Sequence, residues 1–193
     1  DGDADRIGVI DDKGGIVWGD HVLILYARDV LARTGRGQPI IFDVKCSQAL
    51  PDAVRAAGGR PVMWKTGHSL IKEKMKEEHA PIAGEMSGHM FFTEGFYGHD
   101  DALYGAARLL RIIADSGHSL TELLSDVPKY VSTPEIRVDC DEELKFGIVQ
   151  RAVEHFRGTH DVIDVDGVRV QFGDGWGLIR ASNTQPVLVM RFE

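Results

Sequence analysis

Apolar residues in the first two thirds of the chain form short uninterrupted runs, separated by longer segments with helical spacing. The runs are typical of strands that are buried on both faces of a sheet, and they lie at 39–44, 60–64, 81–84 and 90–92. Apolar residues three or four apart predict helices at 20–33, 47–57, 69–78 and 100–115, and Ser119 opens a further one with a capping box. We expect Asp20 and Ser47 to cap the first two helices. This alternation predicts a three-layer α/β/α domain with a largely parallel sheet.

The pattern changes near residue 127. A strand at 133–140 and a helix at 141–157 are followed by four short strands at 161–165, 168–172, 177–180 and 187–192, and the first two connections between these strands are glycine-containing turns. This pattern predicts a smaller α+β domain with an antiparallel sheet. A β-hairpin is predicted at 6–18, ahead of the first domain.

The composition is that of an ordinary globular protein, with 43% hydrophobic and 27% charged residues. A formal net charge of −8 argues against a general nucleic-acid binder. No apolar run approaches the roughly 20 residues that a membrane span needs. Cys46 and Cys140 show no disulfide or metal-site spacing, which favours a reducing compartment. We therefore expect a cytoplasmic protein without nucleic-acid or membrane partners.

The segment 1–6 (DGDADR) places three carboxylates on alternate residues with small residues between them. Asp1, Asp3 and Asp5 can converge on one point, and their hard oxygen ligands suit Mg²⁺ or Mn²⁺. Arg6 adds a cation where a phosphate could dock. An acidic solvated terminus is the alternative, whereas an EF-hand is excluded because Arg6 occupies its turn-glycine position. A metal loop needs support at both ends, so we expect the chain to be a fragment.

Polar side chains also follow the predicted strands of the first domain. Residues 84–89 (GEMSGH) present Glu85, Ser87 and His89 between two glycines, an arrangement suited to holding sugar hydroxyls; a polar turn is the alternative. The free N–H groups at the start of the helix near 66–69 could meet an anion together with His68, and Lys45 follows another strand. Because ligands bind beyond the carboxyl ends of such strands, we expect these loops to share one rim.

Residues 180–186 (RASNTQP) join two strands of the second domain. Arg180, Ser182, Asn183 and Thr184 make this turn rich in donors and free of acids, as a phosphate site requires. The alternative is an ordinary hairpin turn, because Ser, Asn and Thr are common turn residues. Together, the four sites point to metal, sugar-hydroxyl, proton-transfer and phosphate chemistry, the combination of a sugar-phosphate enzyme.

The motifs DGDADR, GEMSGH and RASNT resemble three of the four signature loops of the α-D-phosphohexomutases, in the same order. The resemblance covers essentially the whole chain and is closest to the bacterial phosphomannomutase/phosphoglucomutase branch. It implies that 1–15 is the tail of domain two, 16–127 the α/β/α domain three, and 128–193 a truncated α+β domain four. It also implies an isomerase, an intramolecular phosphotransferase that interconverts hexose 1-phosphate and 6-phosphate through a phosphoserine and a bound 1,6-bisphosphate.

The same resemblance implies a role for each motif residue. Asp1, Asp3 and Asp5 would bind Mg²⁺, with Arg6 beside the metal. Glu85 and Ser87 would hold sugar hydroxyls, and Lys45 would line the cleft with His68 and His89, either histidine being a candidate proton shuttle. Arg180, Ser182, Asn183 and Thr184 would hold the non-reacting phosphate. The implied partners are the glucose and mannose phosphates, glucose 1,6-bisphosphate as intermediate or activator, and the amino-terminal domains of the same protein.

The fourth signature loop, which carries the phosphoserine, is absent from this sequence. We therefore expect the chain alone to bind substrate without turning it over. Phosphoglucosamine and glucose-only mutases are the near alternatives, although GEMSGH favours glucose and mannose. A stand-alone sugar-phosphate-binding or regulatory module, and a divalent-metal-binding protein without sugar specificity, are the alternatives from other functional classes.

Overall fold

The computed structural model describes residues 2–193; Asp1, the first expected metal ligand, lies outside the described residues. The chain forms two units that meet in sequence between Lys129 and Tyr130. The helices and strands of the first unit are β1 (Val9–Ile10), β2 (Ile16–Val17), α1 (Gly19–Thr34), β3 (Pro39–Asp43), α2 (Ala49–Ala56), β4 (Arg60–Trp64), α3 (His68–Glu78), β5 (Ile82–Gly84), β6 (Met90–Phe92), α4 (Ala102–Ser116) and α5 (Leu120–Leu123).

A four-stranded sheet in the order β4-β3-β5-β6 forms the centre of the first unit. Strand β3 runs parallel to β4 and β5, and β6 pairs antiparallel with β5. Side chains of β3 alternate between the two faces. Ile40 and Phe42 pack into a core with α1, α2 and α4, whereas Ile41 joins Ile71 and Met75 of α3 on the other face. The expected three-layer domain is confirmed, because both faces of the sheet are covered by helices.

The N-cap of the first helix lies two residues earlier than expected. Trp18 is the N-cap of α1, so the prediction that Asp20 caps this helix is wrong. The carboxylate of Asp20 is instead buried and accepts a hydrogen bond from the backbone N–H of Ser47 at 2.9 Å. The Ser47 hydroxyl in turn accepts the N–H of Ala49, so the start of α2 is anchored to α1.

The second unit is an antiparallel sheet covered by one helix. Its elements are β7 (Ile136–Asp139), α6 (Glu142–Arg157), β8 (Val162–Ile163), β9 (Val168–Gln171), β10 (Trp176–Ala181) and β11 (Val187–Phe192). The strand order is β7-β11-β10-β9-β8, and every pair is antiparallel. Val153 of α6 packs against Val168 and Val170 of β9. The expected α+β domain is confirmed. Strands β7, β8 and β9 are shorter than predicted, β10 is longer, and β11 has the predicted bounds.

No helix among residues 2–193 is long and apolar enough to cross a lipid bilayer.

Candidate functional site

The segment after the acidic loop lies directly against the loop that carries Glu85, Ser87 and His89. The N–H of Ile7 donates to the carbonyl of Gly88 at 3.1 Å, and Arg6 forms an isolated antiparallel bridge with His89. Gly88 has φ +97°, and a Cβ at this position would lie 2.5 Å from the Ile7 carbonyl oxygen. Glycine is therefore required for the two loops to approach this closely.

Glu85 follows β5 and is only 2% exposed. One carboxylate oxygen accepts the N–H of Gly67 at 2.7 Å, and the other lies 2.8 Å from His89 Nδ1. The expectation of free N–H groups at the start of α3 is therefore wrong for Gly67, whose N–H is already bonded within the protein. Burial raises the pKa of Glu85, but the hydrogen bonds from His89 and Gly67 outweigh it, so the net pKa is lowered and the carboxylate is charged.

His89 connects Glu85 to the acidic loop. Its Nε2 lies 3.2 Å from Asp5 Oδ2, and its Nδ1 lies 2.9 Å from the Ser87 hydroxyl as well as close to Glu85. Burial alone would lower the pKa of His89, but the hydrogen bond and charge of Glu85, followed by those of Asp5, raise it above the ordinary value. The arrangement favours a protonated imidazole, which can donate a proton.

Asp43, at the end of β3, joins three loops at this rim. It is fully buried, and it accepts hydrogen bonds from the Thr66 hydroxyl and the Met86 N–H, each at 3.1 Å. Lys45 Nζ lies 3.8 Å from the same carboxylate. Burial raises the pKa of Asp43, and the nearby ammonium of Lys45 opposes this. Sequence reasoning missed Asp43, although an aspartate ending an otherwise apolar strand was a visible signal.

His68 opens α3, and its side chain is 58% exposed. Its ring lies 6.2 Å from that of His89 between centroids, and its Nδ1 lies 3.8 Å from Asp100 Oδ2. Asp100, which also accepts a hydrogen bond from Lys72 at 3.1 Å, was not identified from the sequence. The loops after β3, β4 and β5 are thus neighbours at one rim of the first unit. They carry Lys45, His68, Glu85, Ser87 and His89.

Among the described residues of the acidic loop, Asp5 has the surroundings of a metal ligand. Its Oδ1 is buried and accepts no hydrogen bond from the described residues, while Arg6 Nε lies 3.5 Å away. Asp3 is exposed, and Ala4 adopts φ +60°, which turns the chain sharply between the two aspartates. A carboxylate oxygen without a hydrogen-bond donor suits a hard divalent cation, so the residues fit Mg²⁺. Asp5, His89 and Asp100 also place potential ligand atoms within 4.8 Å of one another.

In the second unit, Arg180 is held by Asp166. Its Nε donates to Asp166 Oδ2 at 2.9 Å, and Arg180 as a whole is only 6% exposed. Gly167 has φ +83°, and a Cβ there would lie 2.6 Å from Arg180 Cβ, so the Asp166 turn can pack closely only with glycine. The sequence showed the Asp-Gly turn but not that its carboxylate orients Arg180.

The remaining residues of this loop form a tight turn. The Ser182 hydroxyl accepts the N–H groups of Thr184 at 3.3 Å and Gln185 at 3.2 Å, and Ser182 is buried. Asn183 and Thr184 are exposed at the tip. The turn therefore combines exposed polar side chains with a buried, oriented arginine at its base.

Comparison with known proteins assigns both units to one family. Residues 18–130 match the profile described as phosphoglucomutase/phosphomannomutase, α/β/α domain III, and residues 135–193 match the profile of the C-terminal domain. The chain belongs to the phosphoglucomutase/phosphomannomutase family. This confirms the resemblance that the three sequence motifs carried.

Relatives of this family match the chain over its whole length. A phosphomannomutase/phosphoglucomutase of Pseudomonas aeruginosa is 50% identical over 194 residues, covering 100% of the chain and 42% of its own length. A crystal structure of a family protein from Burkholderia thailandensis superposes with a TM-score of 0.88 at 49% identity, covering 100% of the chain and 41% of its own. The chain thus spans about two fifths of these phosphoglucomutase/phosphomannomutase relatives.

An N-acetylphosphoglucosamine mutase of Aspergillus fumigatus, solved with GlcNAc-6P and magnesium, shares the fold. Its TM-score is 0.72 at 16% identity, with 100% of this chain and 44% of that one covered.

Proposed function

We propose that the chain is the carboxy-terminal part of a phosphomannomutase/phosphoglucomutase that interconverts hexose 1-phosphate and hexose 6-phosphate through a phosphoserine and a bound 1,6-bisphosphate. The observation that carries the proposal is the hydrogen-bonded series from Asp5 through His89 and Glu85 to Gly67. It joins the expected metal loop to the expected sugar loop. We assign 1–15 to domain two, 16–127 to domain three and 128–193 to domain four of such an enzyme.

Glu85 and Ser87 are our candidates for holding two sugar hydroxyls. Each oxygen of Glu85 has one protein partner, and a carboxylate oxygen can accept a second hydrogen bond. The lowered pKa of Glu85 supports this role, because a charged carboxylate accepts from hydroxyls more strongly than a neutral one. Lys45, steered by Asp43, adds a donor on the same rim.

His89 is our first candidate for proton transfer, with His68 as the second. The raised pKa of His89 favours its protonated form, and Glu85 and Asp5 hold the ring through both nitrogens. Such a residue can give a proton to a sugar oxygen and recover it in the reverse direction. His68 is more exposed and is held only loosely by Asp100.

We assign Mg²⁺ to Asp3 and Asp5, together with Asp1. Bound there, the ion would neutralise charge on a phosphoryl group during its transfer. Arg6, beside Asp5, would meet the same phosphoryl group with a second cation. Asp5 Oδ1 supports this assignment, because it accepts no hydrogen bond from the described residues and its cationic neighbour, Arg6 Nε, lies 3.5 Å away.

Arg180, Ser182, Asn183 and Thr184 are our candidates for holding the non-reacting phosphate. Asp166 accepts from Arg180 Nε at 2.9 Å and from Nη2 at 3.5 Å, so the edge of the guanidinium that carries Nη1 can donate to a phosphate oxygen. We also propose a cytoplasmic location, because Cys46 and Cys140 are both free thiols.

The test measures mutase activity of the protein at its full natural length, with glucose 1-phosphate and mannose 1-phosphate, Mg²⁺ and glucose 1,6-bisphosphate. We expect both sugars to be converted, and Arg180→Ala to raise the KM by at least about tenfold, since it removes a charged contact to phosphate. Arg151→Ala, which removes an exposed arginine of α6, is the matched control and should change little.

The separate chain of 193 residues should bind glucose 1-phosphate in calorimetry without converting it. If the full-length protein binds these sugar phosphates but converts neither of them, the mutase proposal is contradicted. That result would support a sugar-phosphate-binding module instead.

A further inference from the structure

Lys145 of α6 is a fully buried lysine that contacts the loop between β10 and β11. Its ammonium donates to the backbone carbonyl of Ser182 at 2.6 Å and to that of Gln185 at 3.1 Å. These two carbonyls lie on either side of the exposed pair Asn183 and Thr184. One buried cation therefore fixes both ends of the tip of the loop.

The third partner of the ammonium is Glu142, one helical turn earlier. Its carboxylate lies 2.7 Å from Lys145 Nζ, and its side chain is 64% exposed. An ammonium has three N–H donors, and here each has an acceptor. The head group is therefore held in a single place rather than left free to follow the loop.

The contacts of Lys145 complement those of the Ser182 hydroxyl. Ser182 Oγ accepts the N–H groups of Thr184 and Gln185, so it binds the donors of the turn, while Lys145 binds its carbonyls. Because these backbone N–H and carbonyl groups are hydrogen-bonded inside the protein, buried groups of the second unit hold the conformation of the turn. The exposed side chains at its tip stay available for a ligand.

We propose that Lys145 is a positioning residue for phosphate binding: it holds residues 182–185 in the conformation that receives the non-reacting phosphate of the hexose phosphate. This inference rests on the proposed function of the same loop. Lys145 itself does not touch the substrate, because it is completely buried beneath the loop.

A purely structural lysine would behave differently, and the chain offers one for comparison. Lys74 of α3 is also buried, pairs with Glu77 and Glu78 at 2.8 Å each, and lies over the ring of Trp64. These three partners lie on its own helix and on β4. Removing Lys74 should lower stability and leave substrate affinity unchanged.

The experiment compares Lys145→Met with Lys74→Met in the full-length protein. Calorimetry gives the affinity for glucose 1-phosphate, steady-state kinetics give KM and kcat, and thermal unfolding gives stability. We expect Lys145→Met to weaken binding and raise the KM on the order of tenfold, the effect of losing about 1.4 kcal/mol of binding free energy. The kcat should change less than about threefold, because the phosphate contact is shared by ground and transition states. Lys74→Met should change only stability.

Unchanged affinity in folded Lys145→Met would overturn the inference, as would an equal loss of affinity in Lys74→Met. If Lys145→Met does not fold, Lys145→Gln replaces it, since an amide can still donate to one carbonyl; a roughly threefold weaker affinity is then expected, and no change overturns the inference. Turnover by the wild-type protein tests the mutase proposal separately. The affinity of the variants tests Lys145 even when turnover is absent.

Discussion

Replacing Glu85 with glutamine removes a buried negative charge beside His89 in the first unit and preserves the size of the side chain. One oxygen accepts the N–H of Gly67 at 2.7 Å and the other lies 2.8 Å from His89 Nδ1. Hydrogen bonds to a charged group contribute about 1.5–3 kcal/mol, against about 0.5–1.5 for neutral ones. In glutamine only the oxygen can accept, so it keeps the N–H of Gly67, while the new NH₂ group can donate to His89 Nδ1 only after that nitrogen has lost its proton. Exchanging the two charged bonds for neutral ones costs about 2–3 kcal/mol, and relief of the buried charge offsets part of this, so we expect a net loss of about 2 kcal/mol at pH 7.

The size of this loss should depend on pH through two coupled groups, Glu85 and His89. Burial raises the pKa of Glu85, but the bonds from His89 and Gly67 outweigh it, so the pKa in the folded state lies below the ordinary value of 4.5. A carboxyl with a depressed pKa stabilises the folded state fully above its unfolded pKa, and this contribution disappears as the pH falls through the folded pKa. The contribution of the Glu85 carboxylate should therefore shrink below about pH 5. His89 adds a second dependence, because Glu85 is the main group that raises its pKa: the stability from its protonated form is full below the ordinary histidine value of 6.5 and is lost as the pH rises through the folded pKa. The difference between the parent and Glu85→Gln should therefore be largest between about pH 5 and 6.

Equilibrium urea unfolding of the chain measures this difference. A Trp176→Phe background restricts the tryptophan fluorescence to Trp18 and Trp64 of the first unit. Glu77→Gln is the control, because the Glu77 side chain is 63% exposed; its removal should cost less than about 0.5 kcal/mol. Equal stability of Glu85→Gln and its parent at pH 7 would refute the reasoning. A difference that persists unchanged to about pH 3 would refute the linkage argument.

Two further substitutions test the packing around the site by the same unfolding measurement. Gly88→Ala should cost about 2–4 kcal/mol, because φ is +97° and the new Cβ would lie 2.5 Å from a backbone oxygen. Gly117→Ala, with φ +69° and open space, should cost only about 1–2 kcal/mol, and equal costs would contradict the steric argument. Tyr26→Phe should cost about 1–2 kcal/mol, since the buried hydroxyl donates to the Gly105 carbonyl at 2.7 Å. Tyr97→Phe, at a residue 87% exposed, should be neutral, and a neutral Tyr26→Phe would remove the role assigned to that bond.

The order of the elements could be predicted because it depends on local patterns. Short apolar runs such as 39–43 become strands buried on both faces, and amphipathic segments become the helices that cover them. The error at the start of α1 has a specific physical reason. Asp20 has the chemistry of an N-cap, but its carboxylate bonds to the N–H of Ser47, 27 residues away, and the helix begins at Gly19.

The start of α1 also shows a constraint that only the folded chain reveals. A Cβ on Gly19 would lie 2.6 Å from the carbonyl oxygen of Glu85. The start of α1 can therefore approach the candidate sugar loop this closely only because residue 19 is glycine. In the sequence, Gly19 looks like an ordinary residue between a tryptophan and an aspartate.

The polar motifs of the candidate site could also be found in the sequence, because their residues are adjacent in the chain. Glu85, Ser87 and His89 stand between two glycines, and Arg180 begins a run of hydroxyl and amide side chains. What each side chain bonds to could not be found in this way. Arg180 is oriented by Asp166, 14 residues earlier in the chain.

Local sequence patterns were enough to predict the fold class, the change of pattern near residue 127 and the candidate residues for binding metal, sugar and phosphate. Tertiary structure alone decided how those residues are charged and held. His89 gains a raised pKa from Glu85 and from Asp5, which is 84 residues away. Lys145 fixes a loop nearly 40 residues further along. Periodicity and turn rules act over a few residues, whereas burial and hydrogen bonding depend on which distant segments the completed core brings into contact.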